Sequence, residues 1–150
     1  MPHHLLLFSI DDLRFALPVS AVRETVRAVA ITPLAGAPGV VEGVIDVRGT
    51  VTPVLDMRAR FRLPPRPVRP SDHMVLAEAA GRQVALRVDR VLEVATVTGE
   101  DVRAARDDDP SMRHLAGVAR LPDGLVLVGD LDAFLTQGER EALEVAEGMG

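Results

Sequence analysis

At 150 residues with 47% hydrophobic content, the chain can bury one apolar core or two small joined ones. It has no cysteine, and all 17 of its basic residues are arginine, which excludes disulfides, thiolate metal sites, a cysteine nucleophile, a Walker-type lysine and a Schiff base. A net charge of −5, with four phenylalanines and neither tyrosine nor tryptophan, argues against wholesale phosphate neutralisation and against a stacking platform for single-stranded nucleic acid.

Met1-Pro2-His3-His4 lacks a basic segment leading into an apolar one, and no apolar run approaches the roughly 18 residues of a spanning helix. The expectation is a cytoplasmic chain without direct membrane insertion. Leu5 to Ile10 and Arg14 to Leu17 read as two strands joined by a turn at Asp11-Asp12. Pro18 then ends the ladder, and Val19, Val22 and Val26 stand at helical spacing, predicting a short helix or turn through Ser20 to Glu24. A strand is expected from Val26 to Ile31, then a proline- and glycine-dense loop from Thr32 to Gly39. Val40 to Val47 and Thr50 to Leu55 flank Arg48-Gly49 as another hairpin, and Asp56 can cap a short helix through Phe61. From Arg62 to Pro70 four prolines remove backbone donors, which reads as an extended linker dividing the chain into halves near residues 62–72.

The second half repeats the pattern. His73 to Ala79 and Gln83 to Val88 form a predicted hairpin about Gly81-Arg82, followed by a strand from Val91 to Val97 and a capped segment from Thr98 to Ala105. An acidic loop covers Asp107-Asp108-Asp109-Pro110. Strands at Leu115 to Leu121 and Leu125 to Val128 flank Pro122-Asp123-Gly124, and a C-terminal helix is expected at about 130–149. In register, Ala16 to Glu24 matches Ala85 to Glu93, Gly43-Val44 matches Gly117-Val118, Val54 matches Val128, and Asp56 matches Asp130. Each copy holds about five short strands, too few for a sandwich, so closing each into a small barrel would remove its exposed edges. The expected fold is mainly β: two similar barrels sharing a hydrophobic seam, within a single domain over 1–150.

The segment Val41-Glu42-Gly43-Val44-Ile45-Asp46-Val47-Arg48-Gly49-Thr50-Val51-Thr52-Pro53-Val54-Leu55-Asp56 resembles a signature of the CheW-like family. The Val22-Arg23-Glu24 step, Val88-Asp89-x-Val91 and the hairpin from Gly117 to Asp130 extend the resemblance from about Leu5 to Leu135. It implies two five-stranded SH3-like barrels, no enzymatic activity and no cofactor. It further implies an adaptor of chemotaxis signalling and two-component systems, joining the helical hairpin tip of a chemoreceptor to the regulatory domain of a CheA-type histidine kinase at the inner face of the membrane. The isolated protein is expected to be monomeric. Asp46 stands where the family often has asparagine, and the linker is unusually rich in arginine and proline.

The partner-binding candidates are Val22, Glu24, Gly43, Arg48 and Gly49, among which the resemblance implies a part in receptor coupling for Arg48. Arg48 precedes a glycine in a predicted turn, where its guanidinium could pair with a partner carboxylate; by itself it also reads as a solvated turn arginine. Val22 beside Glu24 offers an apolar contact with a charged rim, or a core valine with a structural neighbour. Gly43 inside a strand marks a bulge or a close backbone approach, and its recurrence as Gly117 favours the bulge. His3, His4, His73 and His114 lack metal-ligand spacing, and Asp11-Asp12 and Asp107 to Asp109 read as turn residues rather than an acid–base pair. The alternative reading is a small-barrel nucleic-acid binder using Arg58, Arg60, Arg62, Arg66 and Arg69; without interleaved aromatics, a solvated linker explains that cluster better.

Overall fold

Strand pairs are built around tight turns. His3–Ile10 (β1) and Leu13–Pro18 (β2) pair antiparallel about Asp11-Asp12, with Phe8 opposite Phe15. A computed structural model describes residues 3–79, 81–104, 115–134, 139–142 and 144. After β2, a single 3₁₀ turn at Val19–Ala21 leads into Val22–Arg27 (β3). The helical turn expected through Ser20 to Glu24 is therefore corrected: the turn ends at Ala21, and Val22 to Glu24 are extended because they pair with β6, with a register shift at Arg23. Val41–Val47 (β4), Thr50–Asp56 (β5) and the short helix Met57–Arg60 (α1) follow. Asp56 caps α1 as its position requires, its carboxylate accepting from the N–H groups of Arg58 and Ala59 at 3.0 and 3.2 Å.

The second copy gives His73–Ala79 (β6), Arg82–Val88 (β7) and Arg90–Val97 (β8). The segment after Thr98 is a 3₁₀ turn with a reciprocal Thr98–Asp101 capping box, running into a short strand, Val102–Ala104 (β9). Leu115–Leu121 (β10) and Gly124–Gly129 (β11) complete the strands. Asp130 opens a 3₁₀ turn at Leu131–Ala133 rather than a regular helix, accepting from the Asp132 N–H at 3.1 Å. Residues 139–142 and 144 are helical; the rest of the expected C-terminal helix, and the acidic loop at Asp107 to Asp109, lie outside the described residues.

These strands form two sheets, one of six strands in the order β8-β1-β2-β11-β10-β9 and one of five in the order β3-β6-β7-β5-β4. The sixth strand is the brief β9. Each sheet draws from both copies of the repeat: the first hairpin of each copy enters the sheet of the other. The exchange is sealed by two parallel pairings, Ala16 with Val128 and Ala85 with Val54, between positions the sequence repeat had placed in register. Both sheets curl toward closure. In the five-stranded sheet the far edges meet again where Thr32 bridges Val44, with N–H···O distances of 2.9 and 2.8 Å; in the six-stranded sheet the outer strands β8 and β9 are consecutive in the chain.

Three apolar clusters fill this architecture. Leu5, Leu7, Ala16, Val97, Ala119, Val126 and Val128 fill the interior of the six-stranded lobe, and Ile45, Val54, Met74, Leu76 and Ala85 that of the five-stranded lobe. The largest cluster lies between them, where Phe8, Ile10, Phe15, Leu17, Leu55, Val75 and Leu86 meet. All four phenylalanines line up along this seam, with ring centroids 6.2 Å apart for Phe8 and Phe15, 4.3 Å for Phe15 and Phe61, and 6.3 Å for Phe61 and Phe134. Central strands are thus buried on both faces, one toward their own lobe and one toward the seam. That explains uninterrupted apolar runs such as Leu5-Leu6-Leu7-Phe8 and Val84-Ala85-Leu86, where a half-exposed strand would alternate.

Candidate docking surface

The β4–β5 turn is built by two consecutive residues with positive φ, Arg48 at 48° and Gly49 at 89°, between the paired Val47 and Thr50. Positive φ at both positions is the sign pattern of a type I′ turn, whose twist suits a two-residue hairpin. Glycine adopts it freely; arginine tolerates it only when held. The holding group is Asp46, whose carboxylate accepts the Gly49 N–H at 2.7 Å. The residue that departs from the family's usual asparagine therefore braces the turn from within. Arg48 then projects into solvent.

There it meets Glu24, reaching across from β3 to form a forked ion pair through both guanidinium nitrogens. Hydrogen bonding to Glu24 raises the Arg48 pKa still further above its ordinary value. Two of the five sequence-selected residues are thus partners of one another, and with Gly49 they share one exposed corner of the five-stranded lobe. Val51, 64% exposed, follows the same turn. In the other lobe Leu125, at the equivalent repeat position, is 63% exposed.

Val22 is half-buried and packs against the seam cluster. It directly follows Ala21, which together with Pro18, Glu78, Ala116 and Gly129 lines a groove of about 340 Å³ between the two lobes. Gly43 is buried rather than displayed. Its φ is +156°, and a Cβ there would strike the Thr32 carbonyl oxygen and lie 2.8 Å from Ile31 Cγ2. The register shifts between Val41 and Gly43, and likewise between Leu115 and Gly117, so the repeated glycines mark the same bulge in both copies.

The largest difference from the sequence reading lies in the linker. Arg58, Arg60 and Arg66 are not solvated: their side chains are 5%, 11% and 12% exposed. Arg58 forks onto Asp11 at 2.6 and 3.0 Å, reaches Asp89 at 3.1 Å and donates to the Pro64 carbonyl at 3.1 Å. Arg66 bridges Asp89 and Asp72, the latter at 2.8 Å. Arg87 continues to Asp72 at 3.3 Å and Glu42 at 2.7 Å, and donates to the Arg66 carbonyl at 2.8 Å. The result is an alternating ladder, Asp11–Arg58–Asp89–Arg66–Asp72–Arg87–Glu42, that straps the proline-rich segment down and ties the β1–β2 turn to β7 and β4. Composition could not reveal it, because its carboxylates come from other elements. The only hint was Asp89, within the Val88-Asp89-x-Val91 step.

The ladder has a pH signature. Burial opposes ionisation of Asp72, but hydrogen bonds from Arg66 and the Arg69 N–H outweigh it and hold the carboxyl below the ordinary aspartate range. Asp89 is likewise lowered against its burial by the Asp11 N–H and Arg66, and Asp11 is lowered by its hydrogen bonds from Arg58. Burial pushes Glu42 the other way, up, despite Arg87. Depressed aspartates stabilise the fold above their unfolded pKa of about 3.9 and lose that contribution as pH falls through the folded values. Glu42 has the opposite sign: its effect favours the fold at low pH and fades as pH rises through its raised value. Thermal midpoints measured from pH 7 to pH 3 should fall most steeply below about pH 4, with Asp72→Asn showing a flatter acid limb. Parallel acid limbs for wild type and variant would contradict the assignment.

Two closed β-lobes welded along an apolar seam, displaying a braced charged turn and an inter-lobe groove, define a scaffold or adaptor module. Among the described residues no group of three histidine, aspartate or glutamate side chains is placed to hold a metal ion. Residues 4–139 match the CheW-like domain. The chain belongs to the CheW-like family and is an adaptor or scaffold of chemotaxis. It is 31% identical over 140 residues to a chemotaxis protein CheW of Rhizobium meliloti (strain 1021), covering 92% of this chain and 90% of that one. It is 28% identical over 114 residues to protein FrzA of Myxococcus xanthus, covering 75% and 71%. Among solved structures, the scaffolding protein TtCheW from Thermoanaerobacter tengcongensis superposes with a TM-score of 0.84 at 25% identity, over 93% of this chain and 96% of that one. Its two SH3-like subdomains correspond to the two lobes described above.

Proposed function

We propose that the chain couples methyl-accepting chemoreceptors to a CheA-type histidine kinase within a chemosensory array, as an adaptor that performs no chemistry and needs no cofactor. The observation that carries this reading is the Arg48–Gly49 turn, a pre-formed cation at a lobe corner beside Glu24 and the exposed Val51. A braced turn pays little ordering cost when a partner docks. In this reading the groove between lobes receives a helical receptor tip, and one lobe end meets the kinase regulatory domain. Such contacts are modest in area, and an array multiplies them by raising effective concentration. The protein is monomeric in isolation and reaches the inner face of the membrane only through its receptors; among the described residues no helix is long and apolar enough to cross a membrane.

Nucleic-acid binding by the linker loses support, since Arg58, Arg60 and Arg66 already have carboxylate partners. The test is a pull-down against a receptor hairpin tip and a CheA-type regulatory domain from the same cell. Wild type should retain both. Arg48→Glu should weaken receptor capture by roughly tenfold or more with an unshifted melting temperature, because reversing an interfacial charge leaves its counterpart unpaired. If wild type retains neither protein, the coupling role is wrong.

A further inference from the structure

Where the ladder reaches the surface it opens into a second concavity, of about 420 Å³, with Arg66, Arg69, Ser71, His73, Arg90 and Val91 in its walls and Asp72 and Asp89 at its base. We propose that this pocket binds a small multiply charged anion, a phosphate monoester or a pyrophosphate, independently of the docking surface.

The two aspartates do not oppose such a ligand as they would if bare. Asp72 accepts from Arg66, Arg87 and the Arg69 N–H, and Asp89 accepts from Arg58, Arg66 and the Asp11 N–H, so their lone pairs are turned inward. The ladder by itself carries four carboxylates against three guanidinium groups. Arg69 and Arg90 reverse that balance at the mouth. Among the described residues neither side chain has an ion-pair or hydrogen-bond partner, although every carboxylate nearby is taken. Two unspent forks facing one concavity suit the equatorial oxygens of a phosphoryl group, which each guanidinium can grip through parallel N–H donors.

The wall is also pre-formed. The Arg69 N–H donates to Asp72 Oδ2 at 2.9 Å while the Asp72 N–H donates back to the Arg69 carbonyl at 3.0 Å, closing a small loop that fixes the Arg69 backbone, with Ser71 inside it and also lining the pocket. His73, in the same wall, has its Nδ1 buried without a hydrogen-bond partner. The volume exceeds that of inorganic phosphate, and Val91 supplies an apolar side, so the pocket leaves room for a substituent on the phosphate.

The experiment is an amide-resolved NMR titration of the full chain with inorganic phosphate, pyrophosphate and adenosine monophosphate, at ionic strength matched by sodium chloride. Saturable shifts are expected at Ser71, His73 and Arg90, strongest with pyrophosphate or the nucleotide. The paired variant Arg69→Ala/Arg90→Ala should lose roughly tenfold or more in affinity, the effect of removing charged hydrogen-bond donors, while its ligand-free melting temperature stays that of wild type. A response to phosphate alone identifies the free ion as the ligand; a preference for the monophosphate identifies the ester. No saturable shift with any of the three probes, or equal affinity in the paired variant, overturns the assignment.

Discussion

Replacing Arg58 by alanine should cost about 2–3 kcal/mol of stability, the loss of charge-assisted hydrogen bonds, and less than for a fully buried ion pair because Asp11 is 46% exposed and Asp89 keeps Arg66. Its guanidinium is 5% exposed and serves Asp11, Asp89 and the Pro64 carbonyl together. Removing it leaves two carboxylates facing one another at the lobe junction and releases the strap. For a chain of this size that corresponds to a fall in melting temperature of about 4–12 °C. Arg62→Ala, four positions further on at the start of the linker and exposed, should stay within about 0.5 kcal/mol of wild type. Composition treats these arginines alike. Calorimetry or denaturant melts of the two variants separate them, and equal effects would mean that the ladder contributes nothing.

The second large effect concerns Gly43, selected from sequence as a partner-binding residue. Because any side chain there meets the backbone of Thr32, and because φ is +156°, Gly43→Ala should open the bridge between Thr32 and Val44 that closes the five-stranded lobe. The expected cost is about 3 kcal/mol or more, combining backbone strain with overpacking. Partner binding should fall with it, as a consequence of the distorted lobe. Arg48→Glu gives the opposite pattern, with binding lost and melting unchanged. A Gly43→Ala protein that melts like wild type yet fails to bind would return Gly43 to the contact surface itself.

Most strands were legible because their turns announce themselves: Asp11-Asp12 and Arg48-Gly49 each separate two apolar runs, as do Gly81-Arg82 and Pro122-Asp123-Gly124, although Arg82 and Gly124 already belong to the strands that follow. The bulge glycines were legible through repetition. The start of β3 was not, since Val19, Val22 and Val26 fall at helical spacing while the strand's inward positions include Glu24, a charged residue held at the surface by Arg48. Nor was the ladder, for a physical reason. Asp11 lies 47 positions from Arg58 and Asp89 lies 31 from it, so no window of sequence contains the set. Arginine among prolines looks solvated until the fold delivers its carboxylates. The pairing of Glu24 with Arg48, 24 positions apart, was hidden in the same way, although both residues had been singled out separately.

The reciprocal insertion of one hairpin from each copy into the other's sheet makes the two lobes topologically inseparable. Neither half of the chain contains a complete barrel, so expressing residues on one side of the linker alone would leave a sheet missing its central hairpin and a seam open to water. The arrangement is that of an arm exchange between two similar units carried on one chain. Cutting the chain at the linker therefore parts each lobe from two of its own strands.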